Sequence, residues 1–524
     1  MTLRKLSTWA VVAGSAFAIP TDPKIDLALL GPIYAPATNN SLQPWIDAAN
    51  QARDAINQVI ATGNSTYGPL DSQGTSFSAS VFSLTSDKPL FEFHFEAPTL
   101  NGSYTKGKLS ENTIYRTGSL GKLLSVYTWL VDIGDSVYLD PITKYVPELA
   151  DAAKAYQNPL LQTNWSEVTV GSLASQLSGM GRDSPIYSNL AYAILGLAYE
   201  TITGKNISQG QRDLYVKKLG MTSTTPTYPG PQADAVIPRN DSYAIFSYDI
   251  GIQGPAGNQY TSTKDLRTWG QAILNYTHLP GYITRRWMKP TSLTSQYDSL
   301  VGAPWEIFRY TVPVNTIVNT SRIVDTYSKS GDIGLYSTFF GLVPDYNIGI
   351  SVLTAGDSPN RQVPPIRGTI VDIFFKAAEA AAKQQAKNAF SGTFRARGGL
   401  NSSITLVVDG GPGVHVTQWI SNSTNFLTNA WYSQFDDFRL YPTTLSHKTA
   451  GDPLTYYKYH LVNLMNGGEP VQGDPWAEFN EYWFQLDGND YNNLATDAFV
   501  VGIDAGGLVQ SVASQALRAT YYRV

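Results

Sequence analysis

The chain has no cysteine among its 524 residues, which excludes disulfide cross-links and any zinc–thiolate centre. Histidine is scarce as well. The five histidines (His94, His278, His415, His447 and His460) include no H-E-x-x-H pair and no ligand-like spacing, so they read as ordinary side chains and no metal is expected. No G-x-S-x-G elbow, P-loop or convincing G-x-G-x-x-G fingerprint occurs, which argues against an α/β-hydrolase and against a nucleotide cofactor; no cofactor of any kind is expected. Basic runs are missing too. The net charge of −5 is small for this length and spread out, which disfavours nucleic acid as a partner. Beyond the N-terminus, no apolar run approaches the ~20 residues that cross a bilayer.

What is present begins with Arg4 and Lys5 before an apolar stretch from Leu6 to Phe17, ending in the small-x-small site Ala16-Phe17-Ala18. That core is too short for a span and meets Pro20 and Asp22, so residues 1–18 are expected to be a signal peptide. The mature protein would be secreted and extracellular, with no membrane association. Ten N-x-[ST] sequons, at Asn39, Asn64, Asn101, Asn164, Asn206, Asn240, Asn275, Asn319, Asn401 and Asn422, agree with a glycosylated product.

Chemistry enters with Ser119-Leu120-Gly121-Lys122, which runs into the apolar stretch Leu123 to Leu130. The helical spacing puts Ser119 in the first turn of a buried helix with Lys122 one turn later on the same face. A serine hydroxyl needs a base to attack a carbonyl at neutral pH, and a buried lysine near a second cation can be neutral enough to serve. A second S-x-x-K, Ser103 to Lys106, lies between Asn101-Gly102 and Gly107 and reads as a surface hairpin. Tyr187-Ser188-Asn189 opens another apolar helix. A second Y-x-N, Tyr491 to Asn493, has no partner motifs. Lys329-Ser330-Gly331-Asp332 precedes strand-like sequence, and its glycine would let an edge strand approach a substrate closely.

These three elements in this order resemble the serine β-lactamase and penicillin-binding-protein superfamily, whose signature is S-x-x-K, then Y-x-N or S-x-N, then K-[ST]-G. The middle element, Tyr187 to Asn189, is similar to the class C β-lactamase and esterase branch, and the resemblance spans roughly residues 40 to 385, closest to fungal secreted members. It implies that Ser119 is the acylated nucleophile and Lys122 its base or proton partner. Tyr187 would share proton transfer as phenolate or phenol. Asn189 would bind the substrate's acyl-side amide, and Lys329 would complement a carboxylate or stabilise Tyr187. The backbone N–H groups of Ser119 and Asp332 would form the oxyanion hole. Ser330 stands for the usual threonine, and Asp332 departs from the pattern by setting a carboxylate beside the hole. A serine hydrolase acting on an ester or amide follows, with acyl transfer, true β-lactamase activity or a silent binding protein of this fold as alternatives. The partner is then a small-molecule or peptide substrate; oligomeric state is not specified.

Helices are expected near 44–60, 119–133, 169–178, 188–203, 207–219, 263–276 and 372–388. Strands are expected over 77–84, 91–95, 304–311, 335–343 and 347–354. Strands at both ends with helices inserted between them make a mixed α/β (α+β) domain over residues 19–389. Tyr248, Tyr260, Trp305 and Tyr336 are candidates for a cleft lining, against the core role more usual for aromatics. From Ser391 onward, short alternating runs (404–408, 414–420, 456–464, 481–486, 498–503) separated by turn signals predict an all-β barrel or sandwich over residues 390–524. It resembles the lipocalin-like accessory domains of some superfamily members.

Overall fold

The structure, a computed structural model, describes residues 31–155, 158, 162–178, 185–315, 320–429, 432–435, 437–464 and 486–524. The expected signal segment, the sequon at Asn319 and most of the 481–486 run lie outside the described residues.

The chain's centre is a seven-stranded antiparallel sheet built from β1 (Thr75–Ser83), β2 (Phe91–Phe95), β3 (Ser299–Val301), β4 (Glu306–Asn315), β5 (Thr320–Ile333), β6 (Tyr336–Val343) and β7 (Ile348–Gly356). Its order is β2-β1-β7-β6-β5-β4-β3. β1, β6 and β7 are buried at every position, because helices cover both faces. On one face, α1 (Gln43–Thr62) and α5 (Pro359–Phe390) bury Trp45, Ile56, Phe374 and Ala378 against Phe77, Phe339 and Val352. On the other, α2 (Gly121–Asp132), α3 (Leu190–Thr203) and α4 (Thr263–Leu274) bring Leu123, Tyr127, Tyr192 and Trp269 onto Phe340, Leu342 and Leu353. The apolar runs noted in the sequence supply both layers.

α5 starts earlier than the Ala-rich stretch alone indicates and contains Pro364 and Pro365. They are the sixth and seventh residues of the helix, past the free N–H groups of its first turn, so each removes the N–H that would bond the carbonyl four residues back, at Asn360 and Arg361.

Behind α5, eight strands form a closed antiparallel barrel: β8 (Gly392–Ala396), β9 (Ser403–Val407), β10 (Val414–Ser421), β11 (Asp437–His447), β12 (Thr455–Leu464), β13 (Ala498–Ile503), β14 (Val509–Ser514) and β15 (Ala519–Arg523). Pairing runs β9-β8-β15-β14-β13-β12-β11-β10, and β9 pairs with β10 to close the ring. Phe394, Leu406, Val416, Trp419, Leu461, Phe499 and Tyr521 fill it.

The last turns of α5 belong to the barrel's core. Ala382, Ala386, Ala389 and Phe390 pack there with Ile33 and Tyr34, and the Phe390 ring meets Tyr459 edge-on at 5.4 Å. The Tyr34 hydroxyl donates to the Gly411 carbonyl at 3.1 Å. One turn before Ala382, Glu379 accepts from Arg322 Nε at 3.2 Å and from the Tyr346 hydroxyl at 2.7 Å, while Arg322 also reaches Asp345 at 2.6 Å. Arg322 and Asp332 lie on one strand, ten residues or roughly 33 Å apart. The barrel is thus docked toward the end of β5 opposite Asp332.

Three of the four aromatic residues considered for a cleft are core instead: Tyr260, Trp305 and Tyr336 are fully buried, and only Tyr248 is exposed. Trp305 packs 4.7 Å from Trp287, and Tyr260 and Tyr336 surround Phe246. Among the described sequons, Asn39, Asn64, Asn101, Asn206, Asn240, Asn275, Asn401 and Asn422 are exposed and Asn164 is half-buried.

Candidate active site

Ser119 lies in a single 3₁₀ turn, Gly118–Leu120, that leads directly into α2. The turn rests on the end of β5, and two glycines make that contact possible. Gly118 has φ +51°, and a Cβ there would sit 2.6 Å from the Asp332 backbone. A Cβ on Gly331 would meet the Thr117 carbonyl oxygen at 2.1 Å and Ser119 N at 2.6 Å. The backbones of turn and strand therefore touch with no side chain between them.

Behind the turn runs the segment 254–259. Thr117 N and Oγ1 donate to the Gln259 carbonyl at 3.0 and 2.9 Å, and Ser125 Oγ donates to the Pro255 carbonyl at 2.7 Å. This segment fixes Lys122 as well. Fully buried on the first turn of α2, Lys122 donates through Nζ to Ser119 Oγ at 3.0 Å, Asn189 Oδ1 at 2.6 Å and the Ala256 carbonyl at 3.0 Å. Burial lowers its pKa from the usual lysine value to about 7, with the nearby Lys329 charge adding to the effect and Glu306 opposing it. A neutral amine still suits these contacts, since two N–H groups serve Asn189 and Ala256 and the lone pair faces the Ser119 hydroxyl.

Tyr187 stands just before α3, in a segment clamped by Gln176. The Gln176 side chain accepts from Ser188 N at 2.6 Å and its backbone carbonyl accepts from Ile186 N at 2.8 Å. Ser188 Oγ accepts from Ala191 N at 3.1 Å, so Asn189 is not needed as a cap and is free to receive Lys122. The Tyr187 ring lies between two cations, with Lys122 Nζ 4.7 Å and Lys329 Nζ 5.5 Å from its centre. Its hydroxyl hydrogen-bonds Ser119, yet desolvation dominates and pushes its pKa up to about 12. Near neutral pH Tyr187 is therefore a phenol and not a phenolate.

The Lys329–Asp332 segment is not part of an outer strand of the sheet, as the sequence suggested, because β4 and β3 continue beyond β5. It is an edge only locally. β4 begins at Glu306, which pairs with Ser328, and among the described residues nothing pairs with that side of residues 329–333. Ser330 N points to this open side, where it donates to Glu306 Oε2 at 2.8 Å. Strand alternation turns Asp332 N to the same side, and the close contacts of Gly118 with the Asp332 backbone and of Gly331 with Ser119 N bring it near Ser119 N. The two donors expected for an oxyanion hole are thereby neighbours.

Sequence reasoning named Ser119, Lys122, Tyr187, Asn189, Lys329, Ser330, Gly331 and Asp332, and the structure gathers all of them at the end of β5. It missed Glu306, Gln176 and the Ala256 carbonyl. No short motif marks these.

An antiparallel sheet between two helical layers, with a serine–lysine turn, a tyrosine–asparagine segment and a lysine-bearing strand at one corner, is the architecture of the β-lactamase and penicillin-binding-protein class. A family model described as "Beta-lactamase" matches residues 96–373, more than half of the chain, and one described as "Beta-lactamase-like-like, C-terminal domain" matches residues 382–524. The chain belongs to the beta-lactamase family, and it is a beta-lactamase-like hydrolase by kind. It is 26% identical over 482 residues to a "Beta-lactamase-like protein" from Arthroderma benhamiae, covering 76% of this chain and 77% of that one. It is 28% identical over 242 residues to "Probable hydrolase clz13" from Cochliobolus lunatus, covering 46% of this chain and 38% of the relative. Among solved structures, the D-alanine carboxypeptidase AmpC from Burkholderia cenocepacia superposes with a TM-score of 0.45 at 20% identity, covering 62% of this chain and 99% of that one.

Proposed function

We propose that the protein is a secreted serine hydrolase that forms an acyl-enzyme at Ser119 with an ester or amide substrate. The observation that carries this reading is the 3.0 Å contact between Ser119 Oγ and a fully buried Lys122 whose pKa is lowered to about 7. Neutral Lys122 accepts the Ser119 proton as Oγ attacks the carbonyl carbon. The Ser119 and Asp332 N–H groups hold the resulting oxyanion. On collapse, the leaving oxygen or nitrogen takes a proton from the Tyr187 phenol, the phenol regains one from Lys122, which holds the proton that came from Ser119, and water then releases the acyl group by the reverse path. Asn189 keeps the Lys122 amine aimed at the serine. Secretion and glycosylation remain part of this proposal, supported by the N-terminal sequence and the exposed sequons.

A fluorophosphonate probe tests the nucleophile. We expect a single adduct at Ser119 in the intact protein and none in Ser119→Ala, with the melting temperature of the variant unchanged. An adduct elsewhere, or ester turnover surviving in Ser119→Ala, overturns the assignment.

A further inference from the structure

The barrel holds two groupings of histidine with carboxylates, and they differ in how their charge is met. Beside the starts of β10 and β11, Arg439 donates to Asp437 at 2.7 Å and to Asp409 at 2.5 Å, and His415 Nδ1 lies 2.9 Å from Asp409. That grouping carries its own cation. The second lies where β13 begins beside β12. His460 is on β12, Asp497 immediately precedes β13, and Asp487 is in the turn that leads to it. One donor atom from each of the three stands within 4.8 Å of the other two. Among the described residues, no lysine or arginine pairs with either carboxylate, and the one charge partner of Asp497 is His460 itself. Asp497 is 7% exposed, and although its Oδ2 accepts from Asp487 N at 3.0 Å, its Oδ1 has no hydrogen-bond partner. His460 Nδ1 is buried and unpartnered as well, 3.8 Å from Asp497 Oδ2 and so beyond hydrogen-bond reach. Buried polar atoms are nearly always paired, so two orphans among three ligand-type side chains point to a third party between them. A water would satisfy hydrogen bonds but would leave two carboxylates side by side; a cation answers both needs.

We infer that His460, Asp487 and Asp497 form a divalent-cation site on the barrel, built for a first-row transition ion such as Zn²⁺. An imidazole nitrogen with two carboxylates suits such an ion, whereas Ca²⁺ and Mg²⁺ take oxygen ligands. The 3.8 Å between His460 Nδ1 and Asp497 Oδ2 is close to the ~3.4 Å edge of a tetrahedral zinc site with bonds of about 2.1 Å. Asp487 brings its carboxylate from the exposed side, while its N–H holds Asp497 Oδ2 in place, the kind of outer contact that orients a ligand. The ion fastens the turn at Asp487 to two barrel strands. It takes no part in the chemistry at Ser119, because the barrel docks toward the opposite end of β5. The three ligands come from separate stretches of chain, so no short ligand motif announces them.

The test uses the full chain, free of any affinity tag and stripped with EDTA, with inorganic Zn²⁺ as the probe. Titration calorimetry should give one site per chain with a Kd in the micromolar range or tighter. Zn²⁺ should also raise the urea midpoint, since a ligand held only by the folded state stabilises it. Co²⁺ should bind at the same place with visible d–d absorption, a signature that a merely structural histidine does not give. His460→Asn, Asp487→Asn and Asp497→Asn should each weaken Zn²⁺ binding by more than the roughly tenfold that loss of an outer contact costs, and remove the Co²⁺ bands. His415→Asn should keep both. Near-ultraviolet circular dichroism and fluorophosphonate labelling at Ser119 show that each variant has folded; Asp487, being exposed, supplies a folded variant should the buried positions not tolerate change. Absence of stoichiometric Zn²⁺ binding by the wild-type protein overturns the inference without any variant, leaving a water or a bare His460–Asp497 pair in the gap. Unchanged affinity in folded Asp487→Asn overturns it too, as does tighter binding of Ca²⁺ than of Zn²⁺.

Discussion

If Lys122 is the base proposed above, it sets how the reaction responds to pH. Its pKa is lowered to about 7 by burial and by Lys329, and only its neutral form can take the Ser119 proton. Acylation should therefore rise with pH through about 7 and level off above it. Tyr187, raised to about 12, adds no second ionisation below the alkaline range. Acylation rates measured by stopped flow between acid and mildly alkaline pH check this; a Lys122→Arg variant, permanently charged, should be inert throughout. Ser119 and Lys122 were legible in the sequence because their spacing of three coincides with the start of an apolar helical run. Glu306 was not. Nothing in Trp305-Glu306-Ile307 distinguishes it from a surface residue of any strand, and its role arises only from a register that sets it opposite Ser328, twenty-two positions away.

The 3₁₀ turn and the end of β5 work as one unit, because Gly118 and Gly331 let their backbones meet. Gly331→Ala would drive a methyl group into the Thr117 carbonyl and the Ser119 and Leu120 N–H groups, and so force the oxyanion donors apart. We expect acylation to fall by roughly a hundredfold or more, as for other sub-ångström to ångström misplacements of reacting groups. Urea unfolding measured alongside the kinetics would show whether the loss is confined to the site. The sequence signalled the glycine and the need for close approach, but placed it on an outer strand. The error has a physical cause: a strand's neighbours are set by long-range pairing, and β4 carries no motif announcing that it starts only at Glu306. In the same way β11 escaped notice. Its sequence, Asp437-Phe438-Arg439-Leu440-Tyr441-Pro442-Thr443, breaks its alternation with a proline, and the structure shows the register shifting between Pro442 and Ser446.

The two halves of the molecule share one helix. α5 covers the central sheet with its first part and fills the barrel with its last turns, so each half's core is completed by the other. Phe390→Ala should cost about 3 to 5 kcal/mol, the usual range for a large buried aromatic, and urea unfolding should show the barrel melting ahead of the rest. A single transition with unchanged midpoint would mean that this ring does not couple the halves. The overall α+β architecture and the change of pattern after residue 390 were readable from composition and periodicity. That the barrel docks away from Ser119 was not, since it depends on which end of β5 the polar pairs of Arg322 select. The open side of β5 carries one more consequence. An open stretch of strand edge invites another molecule's strand to pair with it and so start aggregation. Here Glu306 already takes the Ser330 N–H, and with the exposed Asp332 it sets negative charge along the opening, which should disfavour edge-to-edge pairing between copies.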